Sequence, residues 1–289
     1  MDLIFKNKRG EELDLLNNQD KFVLIGAEGL HGVELDYSES DSPFIDGTSV
    51  NNVRASARGI ALTFQLVGDV QEALNLFTSV IKSKQIGSLI ETDENDREIQ
   101  ITGIVKIPPY TRLSSACTIQ LELYCGQPYW EDLKAVIAVI SEIIDMLYLP
   151  TEGRAIPEAG IPFGEINIDL TRTLLNEGDT EVGMTISIVA LDNTSNPRIS
   201  CSTGEQNGWY MELDVDMVQG DEVIIDTHRG QKKVTFNGSQ TIGNTPVLSL
   251  LTIKGDDWLQ LEQGVNTFNI TATNDDVIYF EIEYRRRYE

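Results

Sequence analysis

The chain has 289 residues, 41% of them hydrophobic, which is length enough for two domains that each bury a core. Its 46 acidic residues outweigh 22 basic ones, for a formal net charge of −24, and acids exceed bases in both halves. A field of that sign repels nucleic-acid phosphates and anionic lipid, which argues against sequence-reading and membrane-surface roles.

The N-terminus, MDLIFKNKRGEELDL, lacks the basic-then-apolar order of a secretory leader, and no apolar run is long enough to span a bilayer. A protein made and kept soluble is expected. From Lys21 to Tyr37 two β-rich pieces, FVLI and VELDY, flank Gly26, Gly29 and Gly32. Glycines after a strand can cradle a pyrophosphate at a helix N-terminus, but a strand-like segment follows here, so a flexible hairpin is expected. Arg58–Leu66 alternates polar and apolar residues as a strand does. Asp69 and Glu72 form a capping box opening an amphipathic helix, with Val70, Leu74, Phe77 and Ile81 on one face. Two more strands, REIQITGIVKI and CTIQLELYC, complete a β-rich α+β first domain, with Pro108-Pro109-Tyr110 marking a turn.

The apolar stretch LKAVIAVISEIIDMLYL predicts a long helix over about 131–149, stopped by Pro150; Lys134, Glu142 and Asp145 make it a helix buried against protein, not a membrane span. Residues 150–164 hold three prolines and read as a linker. Beyond it short alternating runs recur between Gly, Asn and Asp turns: INIDL, GMTISIVAL, WYMELDVDM, DEVIIDT, KKVTFNG, VLSLL, TFNITAT and VIYFEIEY. They predict a β-sandwich over 165–289.

Candidate chemistry is sparse. His31 and His228 have no histidine or cysteine at metal-ligand spacing, and no G-x-S-x-G nucleophile turn occurs, so no catalytic residue, metal site or cofactor is expected. The acidic cluster Asp93–Glu98 lacks the glycine of a calcium loop and reads as a solvated turn. Cys117 and Cys125 share one strand roughly 27 Å apart and cannot bridge; they and Cys201 are expected as free buried thiols. Arg285–Arg287 reads as a solvated basic end with a possible docking role. Trp209 and Tyr210 could stack on a sugar or meet a partner, whereas Trp258 alternates with Leu259 and Leu261 and fits a core.

One ordered set of turns and strands is more specific. Gly220-Asp221 leads to Ile225-Asp226-Thr227, then come an Asn237-Gly238 hairpin and the series Trp258, Leu259, Leu261, Gly264, Asn266. In that order they resemble the last domain of distal tail proteins from long-tailed, siphovirus-type phages of Gram-positive bacteria. The resemblance implies a mostly β protein with some α: a tail-tube-like, ring-forming domain over 1–149, then a galectin-like β-sandwich. It implies a homohexameric ring at the virion tail tip, joining the tail tube protein to a tip or baseplate hub protein and in some cases to a receptor-binding protein. DNA would pass through the lumen, there would be no catalytic residue, and the chain would be made soluble in the host cytoplasm. Asp221, Asp226, Asn237, Gly238, Trp258, Gly264 and Asn266 would serve structure. The sugar-binding residue sets of galectins are not found in this sequence. The competing reading is a carbohydrate-binding adhesin that recognises the host wall through the sandwich.

Overall fold

The computed structural model describes residues 2–41, 46–92, 96–111, 117–139, 141–144, 165–168, 170–238, 245–246, 248–274 and 277–289. The protein is mostly β with a single helix among these residues. It divides into two compact units, Met1–Lys134 with Arg287–Glu289, and Ala135–Arg286.

In the first unit the strands are β1 (Asp2–Asn7), β2 (Glu12–Asp14), β3 (Phe22–Glu28), β4 (Leu35–Asp41), β5 (Thr48–Ala55) and β6 (Arg58–Leu66). The helix α1 (Val70–Val80) follows, then β7 (Ile86–Thr92), β8 (Glu98–Lys106), β9 (Cys117–Cys125) and β10 (Trp130–Asp132). The main sheet runs β2-β1-β7-β8-β9-β6-β3. Period-two alternation is strict in β6 and β9, which pair from Arg58↔Cys125 to Leu66↔Cys117 and turn Ile60, Leu62, Phe64, Ile119, Leu121 and Leu123 inward. The Asp69 side chain caps α1 by accepting from the backbone N–H groups of Gln71 and Glu72 at 2.9 and 3.2 Å. The helix buries Val70, Ala73, Leu74 and Phe77, and Phe77 meets Phe22 and Phe64 edge to face at 5.9 and 5.5 Å. The three cysteines are free and buried.

β4 and β5 stand apart from that sheet as a two-stranded ribbon, and every residue of it except Ala55 is exposed. A hairpin of two strands is marginal in water on its own. Its base is held instead. The Arg58 guanidinium donates to the carbonyls of Leu30 and Gly32 at 3.2 and 2.6 Å, Trp130 Nε1 donates to the Leu30 carbonyl at 2.8 Å, and Ser56 N–H donates to Glu34 at 2.8 Å.

The helix expected over about 131–149 is not what forms. Residues 130–132 are β10, and β11 (Val136–Val139) and β12 (Ser141–Ile144) follow; 145–149 and the expected linker, 150–164, lie outside the described residues. Val136, Ile137, Val139, Ile143 and Ile144 are β-branched, and strand partners are available, so backbone pairing outweighs the helical reading of the apolar run.

The rest of the second unit comprises β13 (Glu165–Ile168), β14 (Thr171–Asn176), β15 (Met184–Ala190), β16 (Thr194–Ser195), β17 (Arg198–Cys201), β18 (Tyr210–Leu213) and β19 (Asp216–Met217). Then come β20 (Glu222–Asp226), β21 (Lys233–Asn237), β22 (Thr245–Pro246), β23 (Leu251–Lys254), β24 (Gly264–Thr271) and β25 (Ile278–Tyr284). A six-stranded sheet, β11-β25-β15-β20-β21-β22, and a five-stranded one, β14-β24-β17-β18-β23, share one core that includes Ile186, Ile225, Phe236, Met211, Phe268 and Phe280. The two sheets form a β-sandwich as expected, and its larger sheet also takes in β11, which lies before the expected start at 165. Within VLSLL the residues Leu248–Leu250 form a 3₁₀ turn instead of a strand, and β23 starts only at Leu251.

The terminal arginines are not a solvated end. β26 (Arg287–Tyr288) pairs with β10 in the first unit's sheet, Arg287 Nε donates to Glu131 at 2.9 Å, Tyr288 donates to Asp132 at 3.1 Å, and Arg286 pairs with Glu177.

Candidate functional site

The residues that carry the distal-tail resemblance lie mostly at turns and strand ends of the second unit. Asp221 is buried and its carboxylate accepts from Val218 N–H at 3.0 Å, closing the turn that Gly220 makes at φ +87°. Asp226 accepts from His228 N–H at 3.0 Å. Thr227 accepts from Met184 N–H and donates to its carbonyl, tying β15 to the end of β20. Asn266 is 2% exposed; it accepts from Glu262 N–H at 2.9 Å and donates to the Glu262 and Gly264 carbonyls, fixing the turn in which Gly264 takes φ +90°. Trp258 is buried in the core. Asn237 ends β21, and residues 237–244 separate the paired Phe236 and Thr245, so Asn237-Gly238 opens a longer connection and is not a two-residue turn. A side chain at Gly238 would run into the Phe236 ring at 2.6 Å.

The two aromatic residues proposed for contact are separated by the structure. Trp209 is half-buried, with its ring against Gly255, where an added Cβ would approach to 2.4 Å. It walls an open cleft of about 470 Å³ together with Trp258, Gln206, Gln260 and Glu262, rimmed by Glu181, Glu205, Arg229, Asp256 and Asp257. Tyr210 does not line the cleft; the Arg198 guanidinium lies over one face of its ring at 3.6 Å.

The cleft floor is an amide ladder that sequence reading missed. Gln206 Nε2 donates to the Gln260 carbonyl at 3.0 Å, Gln206 Oε1 accepts from Gln260 N–H at 2.9 Å, and Gln260 Nε2 donates to the Thr227 carbonyl at 2.8 Å. Glutamines so far apart in the chain leave no local pattern, so no sequence signal marks this ladder. Burial pushes the Asp257 carboxyl up, but the Lys232 ammonium and Trp258 N–H outweigh it and leave its pKa below the ordinary carboxylate value. In the first unit burial raises the Cys125 thiol to about 11, against the pull of Arg58, which makes it inert.

No group of three or more histidine, cysteine or acidic side chains able to hold a metal occurs among the described residues. Nor, among them, is any helix long and apolar enough to cross a membrane.

Residues 177–288 match the family described as "Siphovirus-type tail component, C-terminal domain". Among solved structures the chain is similar to the SPP1 Dit (gp 19.1) protein, described as a paradigm of hub adsorption apparatus in Gram-positive infecting phages. The TM-score is 0.64 and the identity 13%, with 99% of each chain covered. It is also similar to a chain of the phage p2 baseplate in its activated conformation with Ca, at TM-score 0.48 and 10% identity over 99% of this chain and 97% of that one. With Sr the values are 0.45, 11%, 98% and 97%. The search of curated proteins gives no match. The resemblance to distal tail proteins expected from the sequence is borne out, by sequence over residues 177–288 and by fold over the whole length.

Proposed function

We propose that the chain is a structural component of a siphovirus-type tail, a distal hub that closes into a hexameric ring between the tail tube and the baseplate or tail tip. The observation that carries this reading is the family match over residues 177–288, and the fold likeness to SPP1 Dit along the full length supports it. In this reading the first unit builds the ring and the galectin-like second unit projects outward to hold tip or baseplate components, including a receptor-binding protein. It acts as a scaffold and not as an enzyme, located at the tail tip after soluble synthesis in the host cytoplasm.

The acidity has a role in such a ring. Each subunit carries a formal charge of −24, and six together make an anionic annulus past which DNA slides without adhering. The protein should therefore retain no duplex DNA in a gel-shift titration at physiological salt; micromolar, salt-sensitive binding would overturn the lumen argument. Repulsion between such subunits should make ring closure improve with salt until screening is complete. Antibody raised against the chain should label the tail end of intact virions, and label confined to heads would sink the hub reading.

The adhesin alternative draws on one feature, the Trp209 cleft. Saturable binding of host wall polysaccharide that is lost in Trp209→Ala would favour it. The scaffold reading expects no binding by the wild type.

A further inference from the structure

The ribbon of β4 and β5 is amphipathic with its apolar face uncovered. Strand pairing sets Leu35 opposite Ala55 and Glu39 opposite Val50, so these share a face with Tyr37 and Val53; Asp36–Arg54 and Ser38–Asn51 occupy the other face, and a bulge near Asn52 (φ +54°) keeps the alternation in step. Leu35, Tyr37, Val50 and Val53 are each half or more exposed. An apolar strip on a ribbon whose base is tied down by hydrogen bonds from Arg58 and Trp130 is set out in advance for a partner, which lowers the entropic cost of docking.

A second uncovered strip lies on the same unit. Ile86 pairs with Ile104, and Ile104 with Tyr124, in one register row across β7, β8 and β9, and all three side chains are more than half exposed. The two strips remain exposed together in one copy, so neither covers the other. Their charges are complementary. The ribbon carries Asp36, Glu39 and Asp41, of which only Asp36 is paired with an arginine. Beside the row stand Lys82 and Lys84, exposed and without an ion-pair partner among the described residues; Lys84 N–H donates to the Val105 carbonyl at 2.8 Å, which places it next to Ile104.

We propose that the apolar face of the ribbon in one copy docks on the Ile86–Ile104–Tyr124 row of a second copy, with the ribbon acids near Lys82 and Lys84. This rests on the ring reading above and specifies which surfaces meet. Ribbon and row are different surfaces, so the contact is head-to-tail, the kind that closes rings.

The test compares the full-length wild type with Tyr37→Ser/Val53→Ser and, separately, Ile104→Ser, by sedimentation across a concentration series, with thermal melts as the folding control. Either variant should melt as the wild type does and associate at least about tenfold more weakly. A wild type that associates while both variants associate equally well overturns the ribbon contact and leaves the ring reading standing. A wild type that stays monomeric at every concentration, with and without the tail tube protein, overturns both. Independently, Val53→Cys mixed with Ile104→Cys under mild oxidation should give a disulfide between the two variants. Formation of only Val53–Val53 dimers, or of no cross-link in associating protein, overturns the contact even where the serine variants fold poorly.

Discussion

Two hairpins of this chain share a sequence pattern and differ in what covers them. The β20–β21 hairpin places Val223, Ile225, Val234 and Phe236 on one face, and that face is buried against the opposite sheet of the sandwich. In the β4–β5 ribbon Leu35, Tyr37, Val50 and Val53 share a face, and nothing among the described residues covers it. Alternation therefore tells which side of a strand is apolar, not where the covering surface comes from. For the first hairpin the chain supplies it; for the second we propose that another copy does.

The comparison can be broken by truncating each face. Phe236→Ala, or Trp258→Ala in the same core, should cost about 3–5 kcal/mol and lower the melting of the second unit sharply, because a large buried side chain leaves a cavity. Equal stability of either variant and the wild type by thermal melting would show that the sandwich core is not where it is placed. A smaller loss, about 1–3 kcal/mol, is expected for Asn266→Ala, which leaves the Glu262 N–H and two carbonyls without the amide that joins them. On the ribbon, Tyr37→Ala should change the stability of the single chain by no more than about 0.5 kcal/mol. A loss comparable to that of Phe236→Ala would mean the ribbon face is covered within one copy.

The smallest effect concerns pH. The Asp257 pKa is lowered in the folded state, so its contribution is present above the unfolded value near 3.8 and disappears as pH falls through the folded value. Melting of Asp257→Asn should lie slightly below the wild type at pH 7 and converge with it below pH ~4. A gap that widened on acidification would reverse the sign of this interaction.

Much of this was legible locally. The capping pair Asp69 and Glu72 located α1 because an N-cap is a short-range device, and the alternation of β6, β9, β15 and β25 survives because each strand has one face in a core. The stretch from Ala135 misled, since its largely apolar run carries no clear period and the choice between helix and strand fell to a pairing partner 148 residues from Val136 in sequence, at Tyr284. The cleft was half legible: Trp209 lies in it, but nothing in the sequence says that Arg198 covers Tyr210 or that Gln206 and Gln260 form its floor. The basic triplet looked free because its partners Glu131 and Glu177 lie far off in the sequence.

The central claim is a ring built from copies of this chain, and native mass spectrometry of the full-length protein over a range of concentration and salt tests it most directly. The account predicts a six-copy species that grows with concentration and with moderate salt. A single-copy species under every condition, unchanged when the tail tube protein is added, would contradict it.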